Sequence, residues 1–312
     1  MAIEIGPGWT IGGGISIITP PPSEATASWF GGGQTPTRVS TVNRITYATD
    51  TATASVRGPL SAVICALAAT GNNTDGWFGG GSPGTFSTVN RITYATDTAT
   101  ASVRGPLSLA RRDLAAAGNT TDGWFGGGSP GAYSTVDRIT FATDTATASV
   151  RGPLSSGRMY LAAAGNETDG WFGGGIPGPI TVSTVDRITY ANDTATTSVR
   201  GPLSLAKGRL AAAGNSTDAW FGGGSPSTSM VQRITYANDT ATASVRGPLS
   251  SARYNLAASG NTTDGWFGGG YLSSGNSSTV DRITYATDTA TASVRGPISG
   301  ARYGLASSSG IQ

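Results

Sequence analysis

The chain of 312 residues contains no histidine, which removes the usual general base near neutral pH and the commonest metal ligand. Glutamate is almost as scarce, with only Glu4, Glu24 and Glu167, so the carboxylate pair of a glycosidase would have to be built from aspartates. The single cysteine, Cys65, excludes an intramolecular disulfide framework and leaves stability to packing. Its expected role is that of a small apolar residue, buried or half-buried. Only 12% of residues are charged and the net charge is +2, so there is no sustained basic field to grip a phosphate backbone, and nucleic acid is not expected as a partner. No apolar run approaches the roughly 18 residues of a membrane span. The start, Met-Ala-Ile-Glu-Ile-Gly, has neither the basic region nor the apolar stretch of a signal peptide.

What is abundant is glycine (47) and proline (16), alongside a hydrophobic fraction of 38%. Their regular distribution argues for many short strands and turns rather than for disorder. Tryptophans at 29, 77, 124, 171, 220 and 266 each open the string Trp-Phe-Gly-Gly-Gly, at spacings of 48, 47, 47, 49 and 46. A period in the high forties with strand-like content is a propeller-blade signature. The copy from Leu114 to Arg158 divides into four expected strands. These are Leu114-Ala-Ala-Ala117, Trp124-Phe125-Gly126, Arg138-Ile139-Thr140-Phe141-Ala142 and Ala146-Thr147-Ala148-Ser149-Val150, ended by Gly152-Pro153.

Alanine and glycine in the first two strands suit the crowded axis of a ring, and Trp, Phe and Ile further out would fill the wedges between sheets. The first copy begins at Trp29 without its own first strand, and the chain ends with Arg302-Tyr303-Gly304-Leu305-Ala306-Ser307, a first strand without a blade. The expectation is an all-β, six-bladed β-propeller of four-stranded antiparallel blades over residues 28–312. Tyr303 to Ser308 would pair beside Ser28 to Gly32 to close the ring and remove an open edge. An open β-solenoid is the alternative.

The repeat resembles the kelch family in Arg158 opening a first strand, in Trp171-Phe172-Gly173-Gly174, in Tyr190 with Asp193, and in the Gly201-Pro202 link. The resemblance spans residues 28–312. The tryptophan that kelch blades carry some seven residues after the tyrosine is replaced by small residues such as Thr197 and Ala101. The resemblance is therefore kelch-like and implies a binding scaffold.

Residues 1–27 stand outside the repeat and set Ile3, Ile5, Trp9, Ile11, Ile15 and Ile17 in a glycine-rich stretch followed by Pro20-Pro21-Pro22. This reads as an extended arm and a stiff linker. Its apolar side chains are candidates for attachment to a sheet edge, on the same propeller or on a partner. The arm is similar to N-terminal stretches of virion structural proteins of marine cyanobacterial phages. That resemblance implies a tail or capsid-surface appendage, made in the host cytoplasm, with other virion proteins as partners.

Variation between copies concentrates after Gly-Gly-Gly and just before the first strand. In an up-and-down blade these segments emerge on the same face, so one face is variable and the other, carrying Gly-Asn-x-Thr-Asp turns, is monotonous. Tyr, Met and Arg are enriched in recognition surfaces, which selects Arg111, Arg112, Tyr133, Tyr160, Arg209, Tyr254, Tyr271 and Tyr303 as the candidate binding face. The bland reading is that these residues finish strand ends or cover neighbouring loops. A lectin-like or host-receptor-binding propeller is the functional alternative to a purely structural virion component.

No catalytic residues, metal ligands or cofactors are expected. The repeated Asp75, Asp122, Asp169, Asp218 and Asp264 look like turn residues, since a catalytic group is rarely copied once per blade. One carboxylate per Asn-x-Thr-Asp loop is too few for a calcium cage, which leaves Asx-type turns. Asn119-Thr120-Thr121 and Asn261-Thr262-Thr263 are read as the same turn chemistry rather than as glycosylation sites. The arginines Arg138, Arg187 and Arg282 are expected in sheet-surface salt bridges, and a sialidase-like cluster of Arg104, Arg151 and Arg200 lacks a distinctive acid beside it.

Overall fold

The computed structural model describes residues 25–310. Six four-stranded antiparallel sheets are present, and their innermost strands touch one another in a closed cycle. The molecule is the expected six-bladed propeller. In the third blade the strands run Ala115–Gly118, Asp122–Gly126, Val136–Thr140 and Ser149–Arg151 from the axis outward. The first blade takes its inner strand from the other end of the chain. Ala306–Ser309 pairs antiparallel with Ala27–Gly31, with Trp29 opposite Ser308 and Gly31 opposite Ala306. Closure therefore occurs at the expected place but over a shorter strand that runs one residue further, to Ser309, and Tyr303 forms a separate bridge to Gln34.

Two strand boundaries differ from the sequence expectation, for one reason. The third strand ends at Thr140, and Phe141–Thr143 forms a single 3-10 turn. The aromatic ring at its start leaves the sheet to stack on Trp77 of the preceding blade, with centroids 3.8 Å apart. The following residues, Asp144 to Ala146, then pack beneath that blade, which delays the fourth strand to Ser149.

The same junction recurs six times. At the fourth, Trp124 Nε1 donates to Asp193 Oδ2 at 2.9 Å, Arg138 approaches the same oxygen at 3.1 Å and Arg151 at 3.4 Å. Trp124 also stacks on Tyr190. Asp50, Asp97, Asp144, Asp239 and Asp288 serve the other junctions. Each carboxylate is almost fully buried and satisfies an indole and two guanidinium groups from the neighbouring blade, so burial of its charge is compensated. Arg138, Arg187 and Arg282 are thus salt-bridged as expected. Arg104, Arg151 and Arg200 each belong to a different junction and do not cluster.

Glycine is needed where blades approach. A Cβ on Gly105 would lie 1.9 Å from the carbonyl oxygen of Ala146 in the next blade, and the Gly105 N–H donates to Asp144 O at 2.8 Å. On Gly126, a Cβ would meet the Phe172 ring at 2.8 Å. Between the sheets lie six apolar clusters of one composition. One combines Trp77 and Val89 with Phe125, Ile139 and Phe141 of the next blade.

On the monotonous face, Asn119 Oδ1 accepts from the backbone N–H of Thr121 and Asp122 at 3.0 and 2.9 Å. Asp122 in turn accepts from Thr140 Oγ1 at 2.6 Å. These are the expected Asx-type turns.

Asp193→Ala leaves the Trp124 indole N–H and the Arg151 guanidinium without their acid, and leaves Arg138 with only Asp122 at 3.6 Å. The expected cost is on the order of 3 kcal/mol, measured as a lower urea midpoint at unchanged slope. A loss under about 0.5 kcal/mol, the level of an ordinary surface change, would show that the junction is held by apolar packing alone.

Candidate functional site

The two variable segments of every blade lie against each other. Short antiparallel bridges join Gln34 to Tyr303, Cys65 to Ser82, Arg112 to Ser129, Met159 to Ile176, Gly208 to Ser225 and Tyr254 to Tyr271. They share one face, around the axis.

At that face the chain turns into each inner strand through a residue with positive φ. These are Ala66, Asp113, Tyr160, Arg209, Asn255 and Gly304, with φ between 54° and 64°. The amide of each donates to the carbonyl of its counterpart in the preceding blade. The steps run Asp113 N to Ala66 O, Tyr160 N to Asp113 O, Arg209 N to Tyr160 O, Asn255 N to Arg209 O, Gly304 N to Asn255 O and Ala66 N to Gly304 O, at 2.7–2.8 Å. Six backbone hydrogen bonds thus form a closed ring. Beneath it the six leucines Leu67, Leu114, Leu161, Leu210, Leu256 and Leu305 line a small axial cavity of about 70 Å³.

The ring geometry demands the left-handed region, which glycine adopts freely and Asn and Asp tolerate. Gly304, Asp113 and Asn255 suit it, whereas Ala66, Tyr160 and Arg209 are kept there at the cost of local strain. No two of the six are alike. Identical backbones thus present six different chemistries to the mouth.

Those side chains join a partial crown. Arg112 Nε contacts Asp113 Oδ2 at 3.3 Å, and Ser129 Oγ donates to the same oxygen at 2.8 Å. The Arg209 guanidinium lies 4.5 Å from the Tyr160 ring centre and 5.6 Å from that of Tyr254. Tyr254 tilts against Tyr271, which meets Tyr303 edge-on, both at 5.5 Å. Beside the axis a cavity of about 310 Å³ is lined by Gln34, Arg38, Cys65, Ser82, Arg112, Asp113, Tyr160, Asn255 and Tyr303, among others.

Burial pushes the Asp113 carboxyl above its ordinary range, and Ser129 and Arg112 pull it part of the way back. Burial likewise raises the Tyr160 hydroxyl, helped by Asp113 and opposed by Arg209. Cys65 is raised by burial, with Arg38 acting against it.

The structure therefore brings Arg112, Tyr160, Arg209, Tyr254, Tyr271 and Tyr303 into one neighbourhood. Tyr133 is half-buried and closes its own loop, its amide donating to Gly128 O. Arg111 is a correction: it has no exposed surface. It turns under the loop to bind Asp137 at 3.0 Å and Phe125 O at 2.8 Å, because the arginine opening an inner strand is a blade-stabilising group. Arg158 and Arg253 repeat this with Asp186 and Asp281. The arm residues Ile3, Ile5, Trp9, Ile11, Ile15 and Ile17 lie outside the described residues. Gln34, Arg38, Cys65, Ser82, Asp113 and Asn255 also line the cavity, although the sequence expectation did not select them. Their signal was available, since each sits in one of the two variable segments.

No family model matches the chain, and no curated protein matches it in sequence. Among solved structures, the fold is similar to that of YjhT, with a TM-score of 0.66 at 10% identity over 80% of this chain and 88% of that one. This likeness shows the propeller fold.

In the fifth blade, the position of Arg111 is taken by Lys207 and that of Asp137 by Gln232. The buried ammonium binds only carbonyls, Met230 O at 3.1 Å and Phe221 O at 3.4 Å, and burial lowers its pKa to about 7. Between that value and 10.5 the unfolded chain holds the extra proton, so this group makes stability rise as pH climbs from 7. Lys207→Met is expected to be more stable than the parent at pH 7, and the gap should narrow toward about pH 9.5, below the range where unfolded tyrosines ionise. Denaturation midpoints across that range check this, and parallel curves would contradict it.

For the ring, Tyr160→Gly relieves about 1 kcal/mol of backbone strain and removes a cation–π contact worth a similar amount. Urea denaturation should place it within about 1 kcal/mol of the parent. A loss of about 3 kcal/mol or more, as for a core aromatic, would mean that Tyr160 is structural.

Proposed function

We propose that the chain is a non-enzymatic, kelch-like binding propeller, and that the axial mouth of its variable face is a lectin-like glycan-binding site. One observation carries this reading. Fifteen aspartates occur in the chain, and all but Asp113 occupy positions repeated from blade to blade, at junctions, in turns or against a buried inner-strand arginine. Subtracting those structural sets leaves Asp113, with the dissimilar side chains of the ring, gathered at one place. Aromatic faces with a few fixed polar groups around a concavity are the usual means of holding a small polar ligand. The cavity volume lies at the lower end of the range for such sites, roughly 300–1,000 Å³.

The similarity of residues 1–27 to virion proteins supports a second element of the proposal. The propeller would be carried on a phage particle through its arm, so that the mouth faces a host surface. Deleting residues 2–22 should leave a folded propeller that keeps its ligand binding and no longer incorporates into particles. Unchanged incorporation would rule out the arm as the attachment. On a glycan array the intact chain should bind a restricted set of glycans, and the Tyr254→Ala, Tyr303→Ala double variant should lose at least ten-fold in affinity while its melting transition persists. Equal binding by the double variant would move the site elsewhere, and binding to no glycan would remove the lectin reading.

A further inference from the structure

We infer that the mouth selects glycans bearing an anionic group, a carboxylate or a sulfate ester, and that Arg38 is the residue that reads it. The inference rests on the glycan-binding reading above and concerns what kind of glycan is taken.

Charge bookkeeping over the described residues leads to it. Each arginine is ion-paired to an aspartate except Arg38, Arg209 and Arg302. Arg302 is buried beneath the face and donates to Phe30 O at 3.2 Å. The Arg209 guanidinium is covered by Tyr160 and Tyr254. Arg38 alone combines a place on the cavity wall with the absence of an acid partner. Its guanidinium touches only neutral groups, Nη2 reaching Ser82 Oγ at a long 3.4 Å and the Cys65 thiol lying beside it.

The surroundings reinforce the sign. Arg112 lines the same cavity, and Asp113 is its sole carboxylate. That carboxylate is already engaged by Ser129 and Arg112. Among the described residues, the wall therefore carries two guanidinium groups and one carboxylate, an excess of one positive charge that falls to Arg38 because Arg112 is paired with Asp113. A guanidinium presents parallel N–H donors that fit a carboxylate or sulfate in two-point contact, and partial burial weakens competition from water. A neutral sugar would leave Arg38 unmatched. An anionic one supplies the partner that the fold withholds.

The test uses the full chain on an array pairing carboxylated and sulfated oligosaccharides with their neutral counterparts, followed by calorimetry on the best binder. Acidic members should bind at least ten-fold more tightly than matched neutral ones, and the preference should shrink as salt is raised. Arg38→Gln should abolish the preference while leaving residual binding to the neutral counterpart, and Arg38→Lys should restore part of it. Both variants should melt like the parent, since Arg38 holds no structural acid. The separate carboxylate and sulfate arms show which group is read. Equal binding of acidic and neutral glycans overturns this inference and leaves the lectin reading standing, whereas binding to no glycan of either kind overturns both. A preference that survives Arg38→Gln would assign recognition to another group and likewise overturn it.

Discussion

A buried carboxylate shared by an indole and two arginines is the interaction on which this molecule depends. Either of the two hydrogen bonds or the Arg151 ion pair alone would leave the charge of Asp193 poorly compensated in a nearly closed interface. Together they fix the angle between adjacent sheets, because the indole and both guanidinium groups belong to one blade and the acid to the next. The aromatic ring three residues before the acid stacks on the same indole, so apolar and ionic contacts converge on a single residue. Six copies of one angle around an axis bring the last sheet back to the first, so every blade packs between two neighbours. The final strand completes the first sheet because that is the only inner position the repeats do not fill for themselves.

Cohesion at the rim frees the centre. The junction acids lie far out in each blade, while the mouth is made by residues whose common contribution is a backbone amide and carbonyl. A hydrogen bond between main-chain groups does not depend on side-chain identity. The scaffold therefore tolerates Ala, Asp, Tyr, Arg, Asn and Gly at equivalent places. The cost is backbone strain at Ala66, Tyr160 and Arg209, of the kind that clusters at functional sites. Binding at the mouth is the proposed return on that strain.

Much of this was legible in the sequence. The Trp-Phe-Gly-Gly-Gly period gave the blade count, and the mismatched chain ends implied the closing strand. The Asx turns followed from Asn-x-Thr-Asp, because the bonds that define them are local. Long-range partners were harder to see. Nothing near Phe141 announces that its ring leaves the strand for a tryptophan 64 residues earlier, so the third strand was expected to run on to Ala142. Arg111 illustrates the same limit, since neighbouring Arg111 and Arg112 look alike in sequence. The first finds Asp137 inside the blade and the second points to the mouth. The pairing could have been suspected from the copies themselves, where Arg accompanies Asp in three blades and Lys207 accompanies Gln232. Asn255 was passed over because aromatic and arginine content was weighed ahead of position, whereas Arg38, an arginine in a variable segment, carried the same signal as the residues that were selected.

The closed ring of main-chain hydrogen bonds bears on how such a molecule can diversify. A whole repeat exchanged for another brings its own mouth residue, and the same donor and acceptor, into the circle. Duplication or shuffling of repeat units would then rearrange the chemistry at the axis as a permutation, with every junction still meeting an identical neighbour. Near-identity of the copies is what makes each unit exchangeable.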